Sequence, residues 1–240
     1  MTALSHFSVL SDAISQSGFA LRGGFHSAAG DGVPQGVASV VLIGNIGSLG
    51  FKQFQRSPEW RAGADPLDRY TERLVGDIAQ RFCANVVFPW QGPPWWPFQR
   101  WAQRAEAVSI SPLRILIHPR HGLWHAYRAA LFFDSAVTGL PTNQHDRSVA
   151  VESQSGGTSS PCSQCRARPC LTACPVNAFG EDGFDGDRCA RHLNTPAGQE
   201  CLNEGCAARN ACPQGTQERY AREHQQFHMR AFVGAQVNSI

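Results

Sequence analysis

The chain has 240 residues, of which 42% are hydrophobic and 17% charged, and its formal net charge is +2. That size supports one large domain, or a medium domain followed by a small one, and the composition excludes a disordered chain. The balanced charge gives no reason to expect nucleic acid or anionic membrane as a partner, and the longest mostly apolar run, Val37 to Ile43, is too short to span a bilayer.

Leu4 to Gln16 carries apolar residues at helical spacing (Leu4, Phe7, Leu10, Ile14). Gly36 to Asn45 holds a β-branched run, Val37, Val40, Val41, Leu42 and Ile43, bounded by glycine, as in a buried strand. Asp65-Pro66 opens a helix that runs through Phe82, with Leu67, Tyr70, Leu74 and Ile78 on one face. A short strand at Asn85 to Phe88 and a helix over Phe98 to Val108 follow. Leu113 to Ile117 reads as a strand, and Pro119-Arg120-His121-Gly122 as a turn. Leu123 to Asp134 then pairs back as a second strand, with a helix as the alternative. The mixture predicts an α+β fold, a layered α/β domain over 1–152. Ser153 to Ser160 is a Gly/Ser/Thr-rich linker. Residues 161–215 are rich in Cys, Gly and Pro and poor in large apolar side chains, so this segment depends on bound metal for its fold. Thr216 to Val233 reads as a terminal helix within 216–240.

Eight of the nine cysteines fall in this second part, at 162, 165, 170, 174, 189, 201, 206 and 212. The opening residues, Met1 to Gly18, show no basic segment ahead of an apolar stretch, so a cytoplasmic location is expected, where thiols stay free or bind metal. Cys162-x2-Cys165-x4-Cys170-x3-Cys174-Pro175 is similar to the bacterial ferredoxin run C-x2-C-x2-C-x3-C-P, with two residues added in its second gap. Cys189-x11-Cys201-x4-Cys206-x5-Cys212-Pro213 is a looser second set. Soft thiolates at close spacing suit the iron corners of a cubane. By ferredoxin logic, Cys162, Cys165, Cys170 and Cys212 hold one [4Fe–4S] cluster and Cys174, Cys189, Cys201 and Cys206 the other. Structural zinc, disulfides, a metal-free module and a single cluster stay open as alternatives. Cys83 stands apart and reads as a buried structural thiol.

The order of parts, with the segment Leu113-Arg-Ile-Leu-Ile-His-Pro-Arg-His-Gly-Leu-Trp-His-Ala-Tyr-Arg128 ahead of the cysteines, resembles the epoxyqueuosine reductase family. It also resembles the cobalamin-processing family, at His118 to Trp124. The resemblance implies a nitroreductase-like domain that binds cobalamin, followed by a small dicluster ferredoxin-like domain. It marks His118, Trp124 and Arg128 as cofactor contacts, with FMN ranked behind cobalamin. The stretch Val86 to Pro97 carries no carboxylate where epoxyqueuosine reductases place a catalytic Asp, so no catalytic residue is assigned. The expected function is that of an iron–sulfur oxidoreductase relaying single electrons to a cofactor or substrate, supplied by an electron-donor protein or reductase. A ferredoxin-like carrier and a cobalamin-binding reductase or chaperone are the alternatives.

Five further features carry readings of their own. Phe88 to Trp101 packs four Trp and four Pro; a loop covering the core is preferred to a wall against a planar ligand. His118, His121 and His125 are separated by helix breakers, which argues against a three-histidine metal site. His224 and His228 stand at i, i+4, a zinc-compatible spacing on what reads as a surface helix. Arg166 and Arg168 lie in the first cysteine loop, where they would offset thiolate charge. Gly44, Gly47 and Gly50 form a flexible loop, unlike a dinucleotide fingerprint.

Overall fold

The computed structural model describes residues 7–140, 160–181 and 183–237. In chain order the elements are α1 (Phe7–Gln16), β1 (Ala20–His26), β2 (Ser39–Ile46), α2 (Phe51–Gln55), α3 (Pro66–Arg81), β3 (Asn85–Val87), α4 (Phe98–Ala105), β4 (Ser109–Ile110), β5 (Leu116–Ile117) and β6 (His125–Phe133). They continue with α5 (Pro161–Gln164), α6 (Pro169–Thr172), β7 (Phe179–Gly180), β8 (Gly183–Phe184), α7 (Gly186–Leu193), α8 (Gln199–Glu204), α9 (Ala207–Asn210) and α10 (Arg222–Val237). The fold mixes helix and sheet, as the sequence predicts. The expected linker over 153–160 lies outside the described residues except for Ser160. Among the described residues no helix is long and apolar enough to cross a membrane.

The described residues form two compact units, one from 7–107 with 125–140 and one from 108–124 with 160–237. In the first, an antiparallel sheet runs in the order β1-β2-β6-β3. Val40, Val41, Leu42 and Ile43 have no exposed surface, so both faces of β2 are covered. A Cβ on Gly44 would run into the Ala126 carbonyl, and the β2–β6 register shifts at this point. The glycine is therefore required by close backbone approach. Leu10 and Ile14 of α1, Val75 and Ile78 of α3 and Trp101 of α4 add to the core. The buried stripe of α3 is Tyr70, Thr71, Val75, Ile78 and Ala79. It is rotated from the expected one, because Thr71 Oγ1 donates to the Leu67 carbonyl at 2.7 Å and can enter the interior.

In the second unit, buried Leu113, Ile117 and Leu123 share one core with Cys170, Cys174, Cys212, Ala178 and Ala208. The short helices of 160–210 offer few other large side chains, so the thiols themselves fill much of this interior.

Several sequence expectations are corrected. Leu113 to Ile117 is mostly a turn: Arg114 has φ 61, and only Leu116–Ile117 pair, with Ser109–Ile110. The strand after the turn pairs with β2 and β3, not with β5. The helix expected to reach Val108 ends at Ala105, where Glu106 becomes extended. The terminal helix starts at Arg222, with Thr216–Glu218 a separate 3-10 turn. Cys83 is exposed, not buried. It occupies the left-handed position after α3 (φ 52), where Ala84 N–H donates to the Ala79 carbonyl at 2.9 Å, a Schellman closure.

Candidate metal centre

The cysteines of the second unit arrive on short, capped segments. Ser160 caps α5, its Oγ accepting from Cys162 N–H at 3.3 Å and from Ser109 Oγ at 2.7 Å. Cys165 follows that turn, and α6 carries Cys170. Cys174 Sγ accepts from Ala178 N–H at 3.3 Å. Cys189 lies on α7, Cys201 on α8, and Cys206 and Cys212 flank α9.

A cavity is lined by Cys162, Cys165, Cys170 and Cys212 together with Arg168 and Gln214. Burial pushes the Cys162 thiol up, and Cys212, Cys170 and Cys165 add to this. Cys170 is raised by burial first, then by Cys212 and Cys165. A second neighbourhood forms around Cys189, which burial, then Cys206, Cys174 and Cys201, push up to about 11. Cys206 and Cys201 are raised by burial first, and Cys174 adds to both. Backbone N–H groups of Arg209 and Ala208 oppose the shift at Cys206. The thiols that influence one another thus group as 162/165/170/212 and 174/189/201/206. Among the described residues no three His, Cys, Asp or Glu side chains converge closely enough to hold one metal ion.

The donor chemistry of these sets fits a cubane. One zinc needs all its sulfurs at about 2.3 Å from a single point. A cubane gives each thiolate a separate corner, so neighbouring thiols that do not meet at a point still suit it. Arg168, exposed and at φ 39, places a cation at the first set; Arg166 is likewise exposed in the same loop.

The three residues marked for a cofactor are otherwise engaged. Trp124 is fully buried, with Tyr220 at 5.5 Å and the Arg209 guanidinium 4.6 Å from its ring centroid. Arg128, in the first unit, pairs with Asp68 at 2.5 Å and lies over Trp90 at 4.8 Å. His118 Nδ1 accepts from the N–H groups of Arg120 and His121 at 3.0 and 3.2 Å, and its ring stacks on His121 at 4.4 Å. His125 belongs to β6 of the first unit. His224 and His228 bring their Nε2 atoms to 3.0 Å. His224 is buried beneath Tyr220, stacked at 4.0 Å, which corrects the surface reading for that residue. The tryptophan stretch divides: Trp101 and Phe88 are in the core, Trp90 stacks on Phe88 at 5.0 Å, and Trp95 is exposed. Gly50 ends the glycine loop as the left-handed cap of α2, a helix the sequence does not announce.

Sequence reasoning missed a buried polar network in the first unit. Arg22 has no exposed surface and is bidentate to Glu106 at 3.1 and 2.6 Å, with a third bond to the Asn45 carbonyl at 3.2 Å. Tyr127 Oη donates to Glu106 at 2.6 Å, and burial, then the Glu106 charge, push its phenol well up. An Arg in the middle of a strand is the only signal the sequence offers.

No protein-family model matches the chain, and no curated protein matches it either. Among solved structures it is similar to the C. elegans B12-trafficking protein CblC, a homologue of human MMACHC, with a TM-score of 0.50 and 12% identity, over 94% of this chain and 95% of that one. It is also matched with an epoxyqueuosine reductase solved with a tRNA-Tyr stem loop (TM-score 0.46, 13% identity, 91% of this chain and 68% of that one). A third match is the epoxyqueuosine reductase of Streptococcus thermophilus (TM-score 0.44, 13% identity, 87% and 65%). At 12% identity, the likeness to CblC is one of fold.

Proposed function

We propose that the chain is an iron–sulfur protein whose second unit carries two [4Fe–4S] clusters and passes single electrons to an acceptor held by the chain. The observation that carries this reading is the shared cavity of Cys162, Cys165, Cys170 and Cys212, since the last comes from far along the sequence and follows a different helix. When bound, the clusters supply one-electron chemistry. The protein's own part is to present the thiolates on capped turns, to exclude water by burying Cys170, Cys174 and Cys212, and to place Arg168 near the first set.

The likeness in fold to a B12-trafficking protein favours a second, compatible reading, in which the acceptor is cobalamin.

Anaerobic reconstitution of the full chain tests both. The expected result is a broad brown absorption with about eight irons per chain. Cys170→Ser and Cys189→Ser should each lose about half of that iron. Zinc without iron, or no metal at all, would end the proposal. A spectral shift of added cobalamin with tight retention supports cobalamin as acceptor; FMN retained in its place would reject it.

A further inference from the structure

Building on the iron–sulfur reading above, we infer that the hairpin Leu116–Trp124 is a positioning element for Cys212. It supplies no thiolate, but it holds the one ligand of the first set that comes from outside the 162–170 run. Cys162, Cys165 and Cys170 sit on one short run with helical turns between them. Cys212 arrives alone after α9, its N–H donating to the Arg209 carbonyl at 3.2 Å, and the next residue, exposed Pro213, has no N–H to offer.

What fixes the chain beyond Cys212 is the hairpin. Gly122 has φ 57, and a Cβ there would strike the Gln214 carbonyl. A Cβ on Gly215 (φ 66) would strike the His121–Gly122 peptide. Two backbones therefore touch with no side chain between them. Side chains fasten the same seam: Gln214 Nε2 donates to the Pro119 carbonyl and Gln217 Nε2 to that of Arg120, the latter at 3.1 Å. On the other side of Cys212, Arg209 Nη2 donates to the Leu123 carbonyl at 2.5 Å, and its guanidinium lies over both Trp124 and Tyr220, at 4.6 and 4.5 Å. Ile117 and Gln214 both line the four-cysteine cavity. The segment is thus tied to one hairpin both before and after Cys212. Trp124, on this account, acts as the platform for Arg209.

The test compares full-length wild type, G122A and Gln214→Leu after anaerobic reconstitution with ferric iron, sulfide and excess dithiothreitol, followed by reduction with dithionite to the paramagnetic state. Cys170→Ser identifies the electron paramagnetic resonance signal of the first cluster, and Cys189→Ser that of the second. G122A, folded by far-ultraviolet circular dichroism, should hold about half of the wild-type iron and lose the first signal alone. Gln214→Leu should keep its iron but show a shifted first signal or a faster loss of that cluster to chelator. If G122A does not fold, Gln214→Leu decides by itself. Loss of the second signal instead of the first, or two variants indistinguishable from wild type, overturns the inference and leaves the iron–sulfur reading standing. A wild type that takes up no iron overturns both.

Discussion

Arg22 has no access to water, and Glu106 and the Asn45 carbonyl take up its donors, while Tyr127 completes the carboxylate. Removing one member of such a pair strands the other, at a cost of about 3–5 kcal/mol, whereas replacing both by apolar groups can be neutral. Glu106→Ala should therefore lower the stability of the first unit by about that amount in urea unfolding. The double change Arg22→Met with Glu106→Leu should recover most of it. A double variant as unstable as the single one would show that the network's worth lies beyond pairing the charge. At the same scale, Trp124 has no exposed surface because Tyr220 and the Arg209 guanidinium pack against its ring.

At the level of elements, the strongest periodic signals give the right structure. Most of the apolar run at 37–43 enters β2, one of the two inner strands of the sheet, and Asp65-Pro66 opens α3. Ends and turns differ, because they rest on single residues in unusual conformations. Cys83 shows this: it closes α3 in the left-handed region at φ 52, where glycine is the usual residue. Cys83→Gly should raise stability by about 1 kcal/mol, the cost of a side chain in that conformation. It should leave the iron content unchanged. A fall in iron would place Cys83 among the ligands. Arg114 makes the same point: its φ of 61 turns an aliphatic run that looks like one strand into a tight hairpin.

On the scale of the whole molecule, the two units draw stability from different sources. The first buries a sheet and helices rich in large apolar side chains. The second buries thiols, with Leu113, Ile117, Leu123 and a few small residues around them. On the iron–sulfur reading, metal binding is folding energy for the second unit and not for the first. Stripping the reconstituted protein with a strong iron chelator should therefore open the region around 160–237 to proteolysis while 7–107 stays protected. Equal resistance before and after stripping would show that the thiol core holds without metal.

The sequence by itself determined what depends on short range. The β-branched run of β2, the helix opened by Asp65-Pro66, and the spacing that separates eight cysteines from Cys83 all follow from neighbours a few residues apart. So does the nomination of a soft-ligand metal module, since thiolate chemistry is a property of the residues present. Tertiary structure alone decided that residues 108–124 join the second unit though they precede the expected linker, and that Glu106 meets Arg22. These depend on packing between segments far apart in the chain, where glycine contacts such as Gly122 against Gln214 permit an approach that no local pattern encodes.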